Sequence, residues 1–376
     1  MIVTEGGSLQ SAGLRRVSEF DEVRAIRSSR AERLDAVRSA AERFRRRFGA
    51  QGQVHGVRVV DLSSAGYPVR YAFSGAARAT ATPWVSVVAR LVIVQYEDFS
   101  GATRLLCWRP HTTDGPPLAP FERRLAERYA SSVPRRVLSA RLHTVREALA
   151  LYALTPADVH FVAFDHLRGQ DMRTLMGATR PVEGEPEPRD ALFSDARFLL
   201  RRTEVETARS AHPSQRAWYV PGGMRDVVED RLVELEDDVE LGVGVALLAS
   251  PGHTEGSQCL VLRTPDGVCV FSGNGVAADN WHPHLSKIPG VRKEAELMSR
   301  EVIFNSDTVD SAVEQYDSMV KEKTLAEPNR TDPRWMNVIP SSEIRSWRRS
   351  WPIAPSFSHG ELSFGRVQPL RENGTP

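Results

Sequence analysis

The sequence predicts an α+β fold, because strand-rich and helix-rich stretches occupy separate parts of the chain. Residues 54 to 110 are dominated by valine, isoleucine and aromatic side chains, contain turns at Phe-Ser-Gly and are predicted to form strands, one of them over residues 68 to 75. Residues 258 to 274 have the pattern of a β-hairpin whose turn is set by Pro265, Asp266 and Gly267. Residues 293 to 325 instead repeat apolar side chains at a helical period.

The first 50 residues are predicted to form a tail and one long amphipathic helix, separate from a single domain over residues 51 to 376. Ser18 and Asp21 fit a capping box at the start of this helix, and Gly49 fits its end. Its apolar stripe is Leu34, Val37, Ala41, Phe44 and Phe48. Two alternatives remain open for the arginine-rich opposite face, which is either solvated or a contact arm for another subunit.

The balance of charges excludes several classes of partner. The 376 residues carry 49 basic and 48 acidic side chains, which argues against a general nucleic-acid or membrane surface. There is no apolar run of about 18 residues and no apolar signal core at the N-terminus. The three cysteines, Cys107, Cys259 and Cys269, lack the spacing of a disulfide framework and fit a reducing environment. We therefore expect a cytoplasmic protein that binds a small-molecule substrate.

One buried strand leads directly into an acid–imidazole pair. Residues 159 to 164 have the continuous apolar character of a strand covered on both faces. Asp165 and His166 follow at once, and the chain turns at Gly169. Because burying a carboxylate and an imidazole costs free energy unless they are paired or bind a metal, this segment indicates a site.

Two later motifs occur in a characteristic order. Residues 250 to 258 read SPGHTEGSQ, and residues 271 to 281 read FSGNGVAADNW. Together with the acid–imidazole pair, this order resembles the metallo-β-lactamase fold superfamily over roughly residues 57 to 365. The resemblance implies an αββα sandwich, here with an N-terminal helical extension. It also implies a metal site at the strand ends and hydrolysis of esters, lactones, thioesters, amides or phosphoesters.

The resemblance also shows that the metal-binding motif is degenerate. Phe161 and Ala163 stand where the family has its first two histidines, and Arg168 stands in place of the first glycine of a Gly-Gly pair. His253 matches the loop histidine, whereas Asn274 stands where a bridging aspartate is expected. One of the two metal sites of the family is therefore expected to be lost.

The remaining ligands implied by the resemblance form a mononuclear set. Asp165, His166 and His359 would supply one carboxylate and two imidazoles to one divalent ion. Zinc is expected, with iron or manganese as alternatives; the other alternative is that no metal binds. Asp165, His253 and Asn274 are the expected catalytic residues: Asp165 as ligand or base, and His253 or Asn274 as donors to a developing oxyanion.

Strand alternation gives a further expectation for the lost site. Phe161 should point into the pocket beside Ala163 and make its floor apolar, against Trp281. His282 and His284 lie in a proline-containing loop and are expected at the rim rather than as primary ligands.

Two functions follow from these expectations. The first is a metal-dependent hydrolase acting through a mononuclear site on a small ester, lactone or similarly activated substrate, including aromatic ones. The second is a non-catalytic, degenerate subunit that assembles with an intact relative of the same fold. Both are consistent with a homo- or hetero-oligomer.

Overall fold

The computed structural model of the chain describes residues 12–26, 29–73, 75–76, 80, 82–112, 119–131, 137–305, 310–346, 353–360 and 362–370. The strands are β1 Arg15–Val17, β2 Gly56–Pro68, β3 Trp84–Glu97, β4 Thr103–Trp108, β5 Ala140–Arg141, β6 Phe161–Ala163, β7 Arg197–Arg201, β8 Leu232–Leu235, β9 Asp238–Gly242, β10 Val245–Ala249, β11 Gln258–Thr264, β12 Gly267–Ser272, β13 Val338–Pro340, β14 Ser342–Arg345 and β15 Ser363–Gly365. The helices are α1 Asp21–Ala25, α2 Arg30–Gly49, α3 Val69–Ala72, α4 Pro120–Arg128, α5 Val145–Ala150, α6 Met172–Met176, α7 Arg202–Arg209, α8 Val291–Leu297 and α9 Ala312–Leu325.

Two sheets pack face to face. The first has the strand order β1-β9-β10-β11-β12-β13 and is antiparallel except for the parallel pair of β12 and β13. The second has the order β15-β2-β3-β4-β6-β7-β8, with β14 paired to β3 and β5 to β2. Its strands β4, β6, β7 and β8 are parallel. Side chains of both sheets, such as Trp108 and Leu199 from one and Leu260 and Phe271 from the other, form the core between them.

Helices cover the outer faces of both sheets. On the second sheet, α5, α6 and α7 bury Leu149, Leu175 and Val205 in one apolar cluster. On the first sheet, α2 and α9 bury Phe44 and Met319 in another. These four layers confirm the α+β fold class and the αββα sandwich.

The N-terminal helix differs from its prediction in extent. Helix α2 begins at Arg30, because the Ser29 side chain accepts a hydrogen bond from the backbone N–H of Glu32 at 3.3 Å, and the shorter α1 precedes it. The predicted stripe packs on the chain itself, where Phe44 and Phe48 are fully buried. Arginines of its other face form ion pairs within the chain, including Arg33 with Glu314 and Arg38 with Glu301. These contacts favour the helix packing on its own domain.

Two further features of the fold bear on the sequence analysis. Residues 68 to 75 were predicted as a strand. Instead, β2 ends at Pro68 and helix α3 begins at the next residue.

The three cysteines are free and buried, as expected for small core residues. Among the described residues, no helix combines the length and apolarity needed to cross a membrane.

Candidate functional site

A pocket lies where strands of the two sheets end side by side. Asp165 and His166 follow β6, and Arg109 follows β4, which is parallel to β6. His253 lies in the loop after β10 and Gly273 directly after β12. All five residues line one cavity of about 200 Å³, which we name the strand-end pocket. The ring centroids of His166 and His253 are 4.9 Å apart, so the prediction that these two histidines share a pocket is confirmed.

Glycines of the histidine loop allow the chain to approach its neighbours closely. Gly252 has a φ of +128°, and a Cβ on it would lie 2.1 Å from the backbone nitrogen of Gln315 in α9. A Cβ on Gly256 would lie 2.2 Å from the backbone nitrogen of Glu204 in α7. The loop therefore depends on residues without side chains on both sides of His253.

Asp165 is fully buried and held by a cation. Its Oδ1 accepts a hydrogen bond from the backbone N–H of His166 at 3.0 Å and lies 3.3 Å from Nε of Arg109. Burial alone would raise the pKa of this carboxyl, but Arg109 and His166 hold that pKa below its ordinary value. Asp165 is therefore a carboxylate at neutral pH, with its charge opposed by a guanidinium.

Arg109 is fixed at the end of β4 by its backbone and its side chain. Its backbone N–H donates to the carbonyl of Ala163 at 2.7 Å. Its Nη1 donates to the carbonyl of Ser341 at 2.9 Å and also to the hydroxyl of Ser342. Its φ of +58° lies in the left-handed region, which is unfavourable for a residue with a side chain. Such a conformation persists only where the surrounding contacts require it.

A second guanidinium contacts the loop histidine. Nη1 of Arg168 lies 3.3 Å from Nε2 of His253, and Nη2 donates to the carbonyl of His253 at 2.7 Å. The guanidinium carbon is 5.2 Å from the centroid of the Trp218 ring. Burial and the charge of Arg168 hold the pKa of His253 well below its ordinary value. The Nε2 atom of His253 therefore lies against a guanidinium.

The other two imidazoles of the pocket are also held neutral. Burial lowers the pKa of His166 to about 4, although Asp165 opposes the shift. Burial lowers the pKa of His111 to about 4 as well, with a further contribution from Arg109. Conversely, burial raises the pKa of the Glu122 carboxyl, which lines the same pocket.

Asn274 is turned toward the interior rather than toward the pocket. Its Nδ2 donates to Oε1 of Glu322 at 2.7 Å and to the hydroxyl of Ser250 at 2.9 Å. The adjacent Gly273 and Gly275 line the pocket, whereas the buried Asn274 is not one of the lining residues that the structure describes. The structure therefore does not bring its amide to the position expected of an oxyanion donor or metal ligand.

His359 lies in a different cluster. Its Nε2 is 3.2 Å from the carbonyl oxygen of Met336, and its ring packs edge-on against Phe357 at 5.0 Å. Phe357 in turn stacks on Trp335, which contacts His282. Within the described ranges, no three His, Cys, Asp or Glu side chains are arranged to hold a metal ion. The predicted convergence of His359 with Asp165 and His166 is not found.

The predicted apolar floor is also not found. Phe161 packs in the core between the sheets with Trp108 and Leu199, because it lies at the opposite end of β6 from the pocket. Trp281 is fully buried on the outer side of the first sheet, where its Nε1 donates to Glu322 at 2.9 Å. His282 accepts a hydrogen bond from the backbone N–H of Met336 at 3.0 Å instead of lying at the pocket rim.

An aromatic wall was missed by the sequence analysis. It consists of Tyr67, Tyr71, Phe121 and Trp218, which come from four separate positions along the chain. The ring centroids of Phe121 and Trp218 are 4.0 Å apart, and those of Tyr71 and Phe121 are 5.3 Å apart. No local pattern predicts this wall, because its members share no strand or helix period.

The residues of this pocket do not fit the metal that the fold implies. Asp165, from the implied ligand set, and His253, which matches the family's loop histidine, each have a guanidinium nitrogen at 3.3 Å. An arginine keeps its proton at every physiological pH and therefore repels a cation from the same space. The sequence signal was present, since Arg168 interrupts the expected Gly-Gly pair and Arg109 follows β4.

Comparisons with known proteins gave matches among solved structures only. No family model matches the chain, and no curated protein is similar to it. AidC, a dizinc quorum-quenching lactonase in complex with a product, is 10% identical at a TM-score of 0.47, covering 86% of this chain and 98% of AidC. The hydrolase AbOPH, in the beta-lactamase superfamily, is 12% identical at a TM-score of 0.44, with coverage of 86% and 98%. A variant of AiiA from B. thuringiensis with bound N-decanoyl-L-homoserine is 13% identical at a TM-score of 0.42, with coverage of 68% and 93%.

The features that identify the fold lie in the chain itself. Two sheets packed face to face between helices carry the acid–imidazole pair after β6, the histidine loop after β10 and the Ser-Gly-Asn turn after β12. These segments meet at one pocket in the order that the sequence resemblance implied. The chain therefore has the layered αββα architecture that the resemblance to the metallo-β-lactamase fold implied.

Proposed function

We propose that the chain binds a small organic molecule in the strand-end pocket without a metal ion, as a non-catalytic relative of the hydrolases that share its fold. The observation that carries this proposal is the placement of Arg109 and Arg168. Their guanidinium nitrogens lie 3.3 Å from Asp165 Oδ1 and His253 Nε2, two side chains at positions where the family has metal ligands.

The protonation states of the pocket also argue against hydrolysis by its side chains alone. A general base works best when its pKa lies near the operating pH. The pKa values of His111 and His166 are lowered to about 4, and the carboxylate of Asp165 is paired with Arg109. None of these three groups is therefore matched to removing a proton from water at neutral pH.

The shape of the pocket favours a small ligand with an apolar body. Its volume of about 200 Å³ lies below the range of roughly 300–1,000 Å³ that is usual for drug-sized ligands. The aromatic wall lines this cavity together with arginine and histidine side chains, and the guanidinium of Arg168 lies over the ring of Trp218. A molecule of the size of a substituted benzene or a short acyl chain fits this combination.

The second candidate is a metal-dependent hydrolase that acts on a small ester or lactone through a mononuclear site. The observation in its favour is that Asp165, His166 and His253 line one aromatic-walled pocket. This function requires the guanidiniums of Arg109 and Arg168 to leave the atoms that they contact. It also requires ligands other than His359, whose imidazole contacts the Met336 carbonyl.

Metal analysis separates the two candidates. We expect the protein, purified from zinc-supplemented cells and desalted, to contain far less than one equivalent of zinc, iron or manganese per chain. Because no metal supports the fold in this proposal, treatment with a chelator should leave the unfolding temperature unchanged. The matched control is an Arg109→Ala, Arg168→Ala double variant, because it lacks the two guanidiniums that exclude the metal in this proposal.

The opposite result would favour the hydrolase. One tightly bound equivalent in the unmodified protein, whose removal lowers the unfolding temperature, would contradict the metal-free proposal. Hydrolysis of aryl esters or lactones that is lost with that metal and restored on adding it back would establish the second candidate.

A further inference from the structure

We infer that the ligand of the strand-end pocket carries a carboxylate, which Arg109 recognises beside an apolar or aromatic body. This inference rests on the proposed function, since it names the class of molecule that the same pocket binds. It deepens that proposal from a small organic molecule to a small monocarboxylic acid.

The hydrogen bonds of Arg109 engage two of its three guanidinium nitrogens. Nε is directed to Asp165, and Nη1 is directed to the Ser341 carbonyl and the Ser342 hydroxyl. Among the described residues, no hydrogen bond from Nη2 is found, and Arg109 lines the cavity. The N–H groups of Nη2 are suited to a carboxylate oxygen, with which a guanidinium forms a charge-assisted hydrogen bond.

The guanidinium is also held in place before any ligand arrives. The left-handed φ of Arg109 is +58°. It is maintained by the hydrogen bond from its backbone N–H to the Ala163 carbonyl and by the hydrogen bond from its side chain to the carbonyl of Ser341, which follows β13. Backbone strain of this kind is typical of sites where a side chain must be presented in one direction. Preorganisation lowers the entropy lost on binding and so increases affinity.

The neighbouring groups define the rest of the ligand. Arg168 lines the cavity over the ring of Trp218, and the ring of Phe121 lies 4.0 Å from Trp218 on the same wall. A ligand whose carboxylate contacts Arg109 would therefore place its apolar body against these rings. The size of the cavity restricts that body to about one aromatic ring or a short acyl chain.

Two acidic side chains line the same cavity, together with two guanidiniums. Asp165 is paired with Nε of Arg109, which opposes its charge. Glu122 also lines the cavity, and burial raises the pKa of its carboxyl. Arg168 adds the second guanidinium to the lining.

The test compares acids with their uncharged amides. Binding of benzoate and hexanoate, and of benzamide and hexanamide, is measured by titration calorimetry at pH 7.5 on the full chain. We expect each acid to bind about tenfold tighter than its amide, as for a hydrogen bond between charged groups. Arg109→Gln should abolish this preference for acids over amides. Arg109→Lys, which keeps the charge but lacks the planar fork, should reduce it.

Control variants keep the test interpretable. Arg180→Gln removes an exposed arginine and should leave the preference intact. Unfolding temperatures of all variants establish that each is folded, and Arg109→Lys serves if Arg109→Gln is not. Equal affinity for acids and amides in the unmodified chain would overturn the carboxylate inference but leave the proposed function standing. Failure of all four compounds to bind would overturn both.

Discussion

Replacing Glu322 by alanine is expected to lower the free energy of unfolding by on the order of 5 kcal/mol, a large part of the stability of an ordinary domain. Glu322 lies in α9, is fully buried, and accepts hydrogen bonds from four side chains. These donors are Ser250, Ser272, Asn274 and Trp281. They belong to the two loops that carry the pocket and to the segment behind them, so the carboxylate joins the strand ends to the helix.

The expected loss has a clear physical origin. Alanine would leave four buried donors without an acceptor, and each such group costs about 1–3 kcal/mol. Glu322→Gln should be less severe, because its carbonyl oxygen can still accept the three donors now bound at Oε1, while its amide opposes the N–H of Trp281. Burial raises the pKa of Glu322, and these hydrogen bonds oppose that change.

Urea unfolding followed by tryptophan fluorescence measures the effect. The control is Glu296→Ala, which removes an exposed carboxylate from α8 and should change stability by less than about 0.5 kcal/mol. If Glu322→Ala were as stable as this control, the four hydrogen bonds would not hold the strand ends together.

The second large effect is expected for Gly252→Ala, which should cost about 3–5 kcal/mol or prevent folding. A Cβ at this position would meet backbone atoms of Gln315 at 2.1 Å and 2.4 Å, and backbone cannot move aside as a flexible side chain can. The φ of +128° is in addition accessible essentially to glycine alone. Because His253 is the next residue, the displaced loop should also lose its contacts with Arg168.

Gly184→Ala separates the cost of the positive φ from the cost of the steric contact. Gly184 also has a positive φ, +87°, but a Cβ there would have no atom within 4 Å. Its substitution should therefore cost about 1 kcal/mol, from backbone conformation alone. Equal losses of stability in the two variants, measured by urea unfolding, would show that the contact with α9 contributes nothing.

The parts of the fold that the sequence predicted well are those with a local physical signal. The apolar stripe of α2, the hairpin of β11 and β12 and the glycine-flanked histidine loop each follow from residues that lie close together in the chain. The ends of the helices and strands were predicted less well, because similar local signals occur at more than one position. Ser18 offered a capping pattern, but Ser29 caps the long helix, and a strand was predicted where α3 follows Pro68.

For the candidate site, motif order predicted which segments meet but not where all of their side chains point. Motif order correctly placed His166 and His253 together, because the strands that precede them belong to two packed sheets whose strand ends lie side by side. It also placed Asn274 and His359 at the site, where the structure directs one to Glu322 and the other to Met336. Their side-chain directions depend on partners about 20 to 50 positions away, which no local pattern specifies.

The sequence by itself determined the layered fold, the segments that meet at the pocket and the loss of the family's full set of metal ligands, since each depends on residue type and order. Only the tertiary structure decided which side chains contact Asp165 and His253. Arg109 and Arg168 reach Asp165 and His253 across the strand ends, and the aromatic wall closes the cavity beside them. A guanidinium acts through its position and its hydrogen bonds, and those are fixed by packing between segments that are distant in the chain.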